Sequence, residues 1–324
     1  GGGGATVLHP PDLNRLVKAW QRPETIIVHE PWWNAMARHA DIVLPATTPL
    51  ERNDIGRVPA DPIIFAMQQA IPPVGQARND YDIFAALATR LGFNQRFTGG
   101  RDETAWLRHL YDTFRRDVAQ KGLELPAFDA FWEAGHTELA IEETPTVLLA
   151  DFRHNPRAHP LPTPSGRIEI FSETIDSFGY DDCPGHPTWL EPAEWLGAAR
   201  ARRFPLHLIS NQPSTRLHSQ HDMGAVSVAN KIQGREPLLM NPHDAAARGI
   251  AAGSVVRVFN DRGACLAGVR LTETVTPGVV VLPTGAWYDP AEPGDLDRHG
   301  NPNVLSIDKG TSRLAQGPIA QTAL

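Results

Sequence analysis

The chain has 324 residues, with 30 Lys and Arg against 37 Asp and Glu, for a formal net charge of −7. That balance excludes the basic face a nucleic-acid binder needs, and 41% hydrophobic against 21% charged residues excludes wholesale disorder. No apolar run approaches the ~20 residues of a membrane-spanning helix, and the length points to two domains rather than one.

In chain order, Gly1 to Gly4 come first, with no initiator Met and no signal segment, the pattern expected of a chain that begins in mid-protein. Asp12 is placed to cap a helix running to Trp20, with Leu13, Leu16, Val17 and Trp20 on one face. Thr25 to Val28 is a short apolar, β-branched run, expected to be a strand buried on both faces. A helix from Asn34 to His39 and a second buried strand, Asp41 to Leu44, complete a compact βαβ unit and predict parallel pairing. In such sheets ligands sit beyond the carboxyl ends of the strands, here His29-Glu30 and Pro45-Ala46-Thr47.

From Asp80 to Ala134 the apolar period is helical. Ile83, Phe84, Leu87 and Leu91 form one stripe ended by Gly92. Trp106, Leu107, Leu110, Tyr111 and Phe114 form another, on a helix ending near Gly122. These stripes belong to a core. His154 to Pro205 is a wrapping connection with one strand-like run, Arg167 to Phe171. After Pro205, short strands alternate with turn residues: Leu206 to Ser210, Ser254 to Asn260, Cys265 to Leu271 and Val279 to Leu282. A short helix, Pro242 to Arg248, interrupts them. The pattern predicts a small barrel and a boundary near residue 200.

Cys183 and Cys265 are too few for a disulfide framework or a four-cysteine cluster, and two free thiols are expected. Motifs of other chemistries are missing from the sequence: no Gly-x-Ser-x-Gly elbow, no phosphate loop, no His-Glu-x-x-His. What remains are polar clusters at strand ends. The densest runs from Ser210, Asn211 and Gln212 through Arg216, His218, Ser219 and Gln220 to Asp222. Its amides and hydroxyls can read the edge of a heterocycle, and the Arg216 fork suits phosphate oxygens. A solvated loop held by local side-chain bonds accounts for the same composition equally well. Trp287 and Tyr288 follow the last strand. His299 to Leu305 and Gly310 to Gly317 leave Asn303, Ser312 and Gln316 without a turn role.

Seven ordered stretches resemble the dimethyl sulfoxide, trimethylamine N-oxide and biotin sulfoxide reductases, the molybdopterin-dependent oxidoreductases that carry bis(molybdopterin guanine dinucleotide) molybdenum. They are Ile27 to Trp33, Ala40 to Thr48, Leu50 to Ile55, Pro164 to Phe171, Leu208 to Asp222, Asn241 to Gly249 and Gly300 to Gly317. The resemblance implies an α/β chain. Residues 1–200 would end a Rossmann-like domain with a helical extension, and 201–324 would form a six-stranded double-psi β-barrel that binds the dinucleotide. It also implies cofactor-contacting roles for Ser210, Asn211, Gln212, Arg216, His218, Ser219, Gln220, Asn241, Asp244, Asn301, Asn303 and Gln316. Glu30, Thr47 and Thr48 would face the other dinucleotide. No residue matches the molybdenum ligand, so no catalytic or metal-ligating residue is expected in this chain, and its partner is a missing N-terminal half. The complete enzyme would take a small S-oxide or N-oxide, in the bacterial cytoplasm or periplasm. Changing Arg216 or Asn303 to Ala is expected to lower cofactor occupancy more than stability. A stand-alone dinucleotide-binding module, an inactive remnant, and another reaction such as hydroxyl transfer or formate oxidation remain as alternatives.

Overall fold

In the computed structural model, which describes residues 10–58, 61–141, 147–315, 317 and 322–324, eleven strands follow one another. They are β1 (Ile27–Glu30), β2 (Ile42–Pro45), β3 (Asp54–Arg57), β4 (Ile63–Met67), β5 (His136–Glu138), β6 (His207–Ile209), β7 (Pro237–Met240), β8 (Val255–Phe259), β9 (Ala264–Leu271), β10 (Val279–Val281) and β11 (Thr322–Ala323). The chain divides into two compact units. One comprises Ile27–Trp33 and Ala40–Ala150, the other Gly1–Ile26, Asn34–His39 and Asp151–Leu324.

In the first of these, β1 and β2 pair in parallel as expected, in register from Ile27 with Ile42 to Glu30 with Pro45. They are not buried on both faces. Among the described residues the sheet has only these two strands, so its apolar residues find few neighbours, and Ile27 and Ile42 are 55% and 45% exposed. A three-stranded antiparallel sheet, β3-β4-β5, was not legible in the sequence. Its strands are short, and Asp54, Gly56 and the polar His136-Thr137-Glu138 lack the β-branched alternation that marks a strand. The sheet packs on helices Glu103–Ala119 and Phe128–Ala134 through Ile64, Leu107, Tyr111, Phe128, Phe131 and Leu139. Tyr111 and Phe131 stack at 4.3 Å between ring centroids. Asp102 caps the long helix by accepting from Ala105 N at 2.8 Å; of the stripe expected there, Leu107, Tyr111 and Phe114 face the core, whereas Leu110 is 56% exposed.

The second unit opens on helix Leu13–Trp20, whose cap Asp12 accepts from Arg15 N at 3.3 Å. Leu13 and Val17 are its buried apolar residues. Its main element is a curled, mixed sheet of six strands in the order β11-β6-β10-β7-β9-β8. β10 runs parallel to β6 and antiparallel to β7, and β7 runs parallel to β9. Leu208, Met240, Val269, Val280 and Leu282 fill its core. Among the described residues the edge strands β8 and β11 do not pair, so a closed barrel is not what the strand pairing displays. The edges are nonetheless linked at their ends, because Asn260 Nδ2, one residue past β8, donates to Leu324 O at 2.8 Å.

Two strands here, β7 and β11, escaped the sequence pattern. β7 is Pro-Leu-Leu-Met, with no β-branched residue. Conversely, Arg167 to Phe171 is not a strand. Its start is tied into a local turn, with Leu161 N donating to Gly166 O and Thr163 Oγ1 to Arg167 O, bonds that compete with a ladder. Both cysteines are free thiols. Among the described residues no helix is long and apolar enough to cross a membrane.

Candidate functional site

The polar segment after β6 meets two others at the same end of the six-stranded sheet. Thr284 N, beyond β10, donates to Asn211 O at 2.9 Å. Trp287 Nε1 donates to Ser219 O at 2.8 Å, and Asn301 Nδ2 to Ala286 O at 2.9 Å. The segments 211–222, 284–289 and 297–303 are thus joined, and most of the residues singled out in the sequence lie on them.

Beneath them lies a buried charge cluster that the sequence did not disclose. Arg216 is 1% exposed. Its Nε donates to His218 O at 3.1 Å and its Nη2 to Thr284 O at 3.0 Å. The same guanidinium pairs with Glu236 at 3.1 Å and meets Ser227 Oγ at 3.2 Å. Lys231 Nζ bridges Asp222 Oδ1 at 2.8 Å and Glu236 Oε2 at 3.1 Å. Asp222 also accepts from Trp287 N at 3.0 Å. Burial alone pushes the Asp222 carboxyl up. The Lys231 charge and hydrogen bond, together with the Trp287 N–H, outweigh it and hold the group below its ordinary range. This changes the role of Arg216. Its guanidinium is not an open fork for phosphate, because its donors are taken by protein carbonyls and carboxylates that would otherwise be buried without partners.

The third segment is organised by Asp297, which is fully buried. Its Oδ1 accepts from Asp289 N at 2.8 Å, and its Oδ2 from Gly300 N at 2.8 Å, Asn301 N at 2.7 Å and His299 N at 3.3 Å. Burial raises its carboxyl despite these donors. Asn301 and Asn303 are both buried on this turn, where Asn301 Oδ1 accepts from Asn303 N at 2.9 Å. Burial, and then the neighbouring Asp297, push the Cys265 thiol well up, which leaves it an unreactive core residue.

Asn241 and Asp244 lie apart from this group. Asn241 caps the helix Pro242–Ala246 and donates Nδ2 to Val275 O at 2.7 Å, while Asp244 Oδ2 accepts from Gly278 N at 2.7 Å. Both tie the helix to the turn before β10. In the other unit, Glu30 ends β1. Thr47 is buried and donates Oγ1 to Asn79 Oδ1 at 2.8 Å. Thr48 donates its N and Oγ1 to Glu51 Oε2 at 2.6 and 2.7 Å. The Thr48 N–H, followed by that of Val74, holds the Glu51 carboxyl down. Glu51 is therefore a local cap, and Arg52 turns instead to Thr47 O and Asp54. Gln316 lies outside the described residues.

Two groups fit a heterocyclic ligand at the joined loops. The amide-bearing Asn211, Gln212 and Gln220 are exposed, and the hydroxyls of Ser210 and Thr215 are buried without a hydrogen-bond partner, a state that asks for an explanation in a native fold. A cavity of about 340 Å³ is lined by Trp287, Tyr288 and His299 of the joined segments together with Arg38, Arg235 and Arg298 among others. Arg38 and Arg298 share Asp289, at 2.6 and 3.2 Å. Isolated arginines with no recognisable spacing gave no signal in the sequence. Among the described residues no group of three His, Cys, Asp or Glu side chains is placed to hold a metal ion.

Two family models match the chain. The molydopterin dinucleotide binding domain matches residues 206–324, the segment that builds the six-stranded sheet and its loops, and molybdopterin oxidoreductase matches residues 3–90. The chain belongs to the molybdopterin oxidoreductases. It is 50% identical to the dimethyl sulfoxide/trimethylamine N-oxide reductase of Cereibacter sphaeroides, over 99% of this chain and 40% of that protein. It is likewise 50% identical to the biotin sulfoxide reductase of the same organism, over 99% of this chain and 43% of that protein. Trimethylamine-N-oxide reductase 1 of Escherichia coli K12 is 44% identical over 96% of this chain. The chain thus spans about 40% of the length of the curated relatives it matches. Acetylene hydratase from Pelobacter acetylenicus shares the fold, with a TM-score of 0.69 at 17% identity over 99% of this chain and 43% of that one.

Proposed function

We propose that this chain is the C-terminal, cofactor-holding part of a molybdenum oxidoreductase that binds bis(molybdopterin guanine dinucleotide) and reduces S-oxides or N-oxides by oxygen-atom transfer. The observation that carries the proposal is a coincidence of position. The family match to a dinucleotide-binding domain covers 206–324, and there the segments 211–222, 284–289 and 297–303 converge at one end of the sheet. When bound, the molybdenum dithiolene supplies the two-electron chemistry.

The chain's own residues bind and orient. Asn211, Gln212, Ser219, Gln220 and Asn303 would hydrogen-bond pterin and guanine edges, and Ser210 would contribute its hydroxyl. Asn301 shapes the turn that carries Asn303. Arg216 holds the first segment in shape rather than meeting phosphate. Asn241 and Asp244 act through the fold, and Glu30, Thr47 and Thr48 belong to a second contact surface in the other unit. On this reading residues 201–324 form the double-psi barrel, residues 1–200 end the Rossmann-like domain with its helical extension, and the metal ligand comes from an N-terminal half.

The experiment is to measure molybdenum and guanine dinucleotide in the chain expressed alone and co-expressed with the upstream half of a relative. Cofactor only in the co-expressed sample is the expected result. Cofactor retained by the lone chain would make it a stand-alone module, and none in either sample would refute the proposal.

A further inference from the structure

The four charged side chains under the loops carry more than stability requires. Arg216, Asp222, Lys231 and Glu236 have side chains between 0% and 4% exposed, two of each sign. A buried set of this kind is often replaced by apolar residues without loss of stability. What distinguishes this one is where its bonds end. Arg216 donates to two backbone carbonyls on different loops, His218 O and Thr284 O, while Asp222 takes the Trp287 N–H and Trp287 returns its indole N–H to Ser219 O. Glu236 N donates to His299 O at 3.0 Å, which fastens the third segment to the same cluster.

The segment so held is in an uncommon conformation. His218 and His221 are both left-handed, with φ of 50° and 54°, a region L residues enter rarely and chiefly where their surroundings impose it. Gly285 has φ of +92°, and a Cβ there would stand 1.9 Å from His218 O. Two strained residues bracket Ser219 and Gln220, and the buried cluster reaches this segment through Arg216 on His218 O and through Asp222 on Trp287 N, whose indole holds Ser219 O.

We infer that Lys231 and Glu236 are positioning residues: with Arg216 and Asp222 they form a charge-balanced latch that holds segment 217–222 in its strained shape so that Ser219 and Gln220 face the ligand. The inference rests on the proposed dinucleotide site. Neither Lys231 nor Glu236 touches that ligand. They act by keeping Arg216 and Asp222 aimed at the loop carbonyls and at Trp287.

The test uses the complete enzyme with Lys231→Met, Glu236→Gln and the double variant Lys231→Met/Glu236→Gln. Each single change leaves one buried charge in excess, and the double variant restores balance. Thermal midpoint, the rate of guanine dinucleotide loss after desalting, and hydrogen exchange of amides 217–222 and Trp287 are read on all of them. The expected result is that the double variant regains a midpoint near wild type but still loses the dinucleotide about tenfold faster, the scale seen for supporting contacts around a bound group, with faster exchange in 217–222. Should dinucleotide loss simply follow the midpoint, so that the double variant restores both, the cluster is structural and the inference is overturned. If the single variants do not fold, the double variant alone decides. A wild-type enzyme without guanine dinucleotide would remove the proposed function instead. Hydrogen exchange would still decide the latch, unchanged protection at 217–222 in the double variant counting against it.

Discussion

Replacing Asp297 separates two effects that oppose each other on one side chain. Its carboxylate is fully buried and accepts from four backbone N–H groups, one on Oδ1 and three on Oδ2. In Asp297→Asn, the amide oxygen can take the Oδ2 position and keep His299, Gly300 and Asn301, so only the Asp289 N–H loses its acceptor. One orphaned donor costs about 1–3 kcal/mol. Against that stands the removal of a buried charge. Burial raises the Asp297 carboxyl even in the presence of its donors, so ionisation there is unfavourable to the fold. The two should nearly cancel near neutral pH, leaving a net loss of about 1 kcal/mol. In Asp297→Ala all four donors are orphaned where water does not reach, and a loss of about 4 kcal/mol, the upper end for single substitutions, is expected.

Urea unfolding of the purified chain, with midpoint and slope fitted for each variant, measures both. For the alanine variant the thermal midpoint should fall on the order of 10 °C. The pH dependence adds a second check. Because the folded value lies above the unfolded one, the stabilising contribution is complete in acid below the unfolded value and is lost as pH rises through the folded value. The advantage of wild type over Asp297→Asn should therefore be widest in acid and shrink toward neutrality. An amide variant as unstable as the alanine one, or a gap that widens with rising pH, would refute the balance argued here.

Asp222 should show the opposite sign. Its carboxyl is held low by Lys231 and Trp287, so its contribution is present above the unfolded value and lost as pH falls through the folded one; unfolding curves of wild type should weaken below about pH 4, and those of Asp222→Asn should be flatter there. Gly285→Ala should destabilise far more than Gly249→Ala, as judged by thermal midpoint. Both glycines are left-handed, but a Cβ at 285 meets His218 O whereas one at 249 meets open space, leaving only the left-handed cost of about 1–2 kcal/mol. Phe131→Ala should cost about 3–5 kcal/mol in urea unfolding, since Phe131 is fully buried and stacked on Tyr111. With a thiol-reactive dye, Cys183 should label in the folded chain and Cys265 only on unfolding, given the burial of the latter.

The elements legible in the sequence were those whose local signals agree with their environment. Helix Leu13–Trp20 carries its own cap in Asp12, β8 and β10 are rich in Val, and β9 is mostly apolar, all between Gly, Asn and Asp turns. β3, β5 and β7 are specified from outside. Their residues have little strand preference, and partners such as β4 for β3 and β9 for β7 supply the ladder. Arg167 to Phe171 fails in the other direction, because β-compatible side chains lose to turn bonds from Thr163 and Gly166. Periodicity registers side-chain preference, and in both cases the backbone hydrogen bonds decided.

The same limit governs the site. The location of the polar segment 210–222 was readable, because polar residues without turn chemistry stand out after a strand. Its division of labour was not. Arg216 has the composition of a phosphate ligand, yet its guanidinium faces inward because Glu236 and Asp222 lie there and would otherwise share the single buried counter-charge of Lys231. Those acids sit 20 and 6 residues away in sequence, and nothing in their spacing announces a meeting. A charged residue beside a ligand loop therefore has two physical fates: turning out to bind, or turning in to hold the loop. The choice depends on whether opposite charges are buried beneath it. Here two are, and on the proposed reading the outward work passes to the neutral amides and hydroxyls of Asn211, Gln212, Ser219 and Gln220, whose hydrogen bonding suits a heterocycle better than a pyrophosphate. On the same reading phosphate neutralisation falls to other cations, and Arg38, Arg235 and Arg298 line one cavity within the same unit.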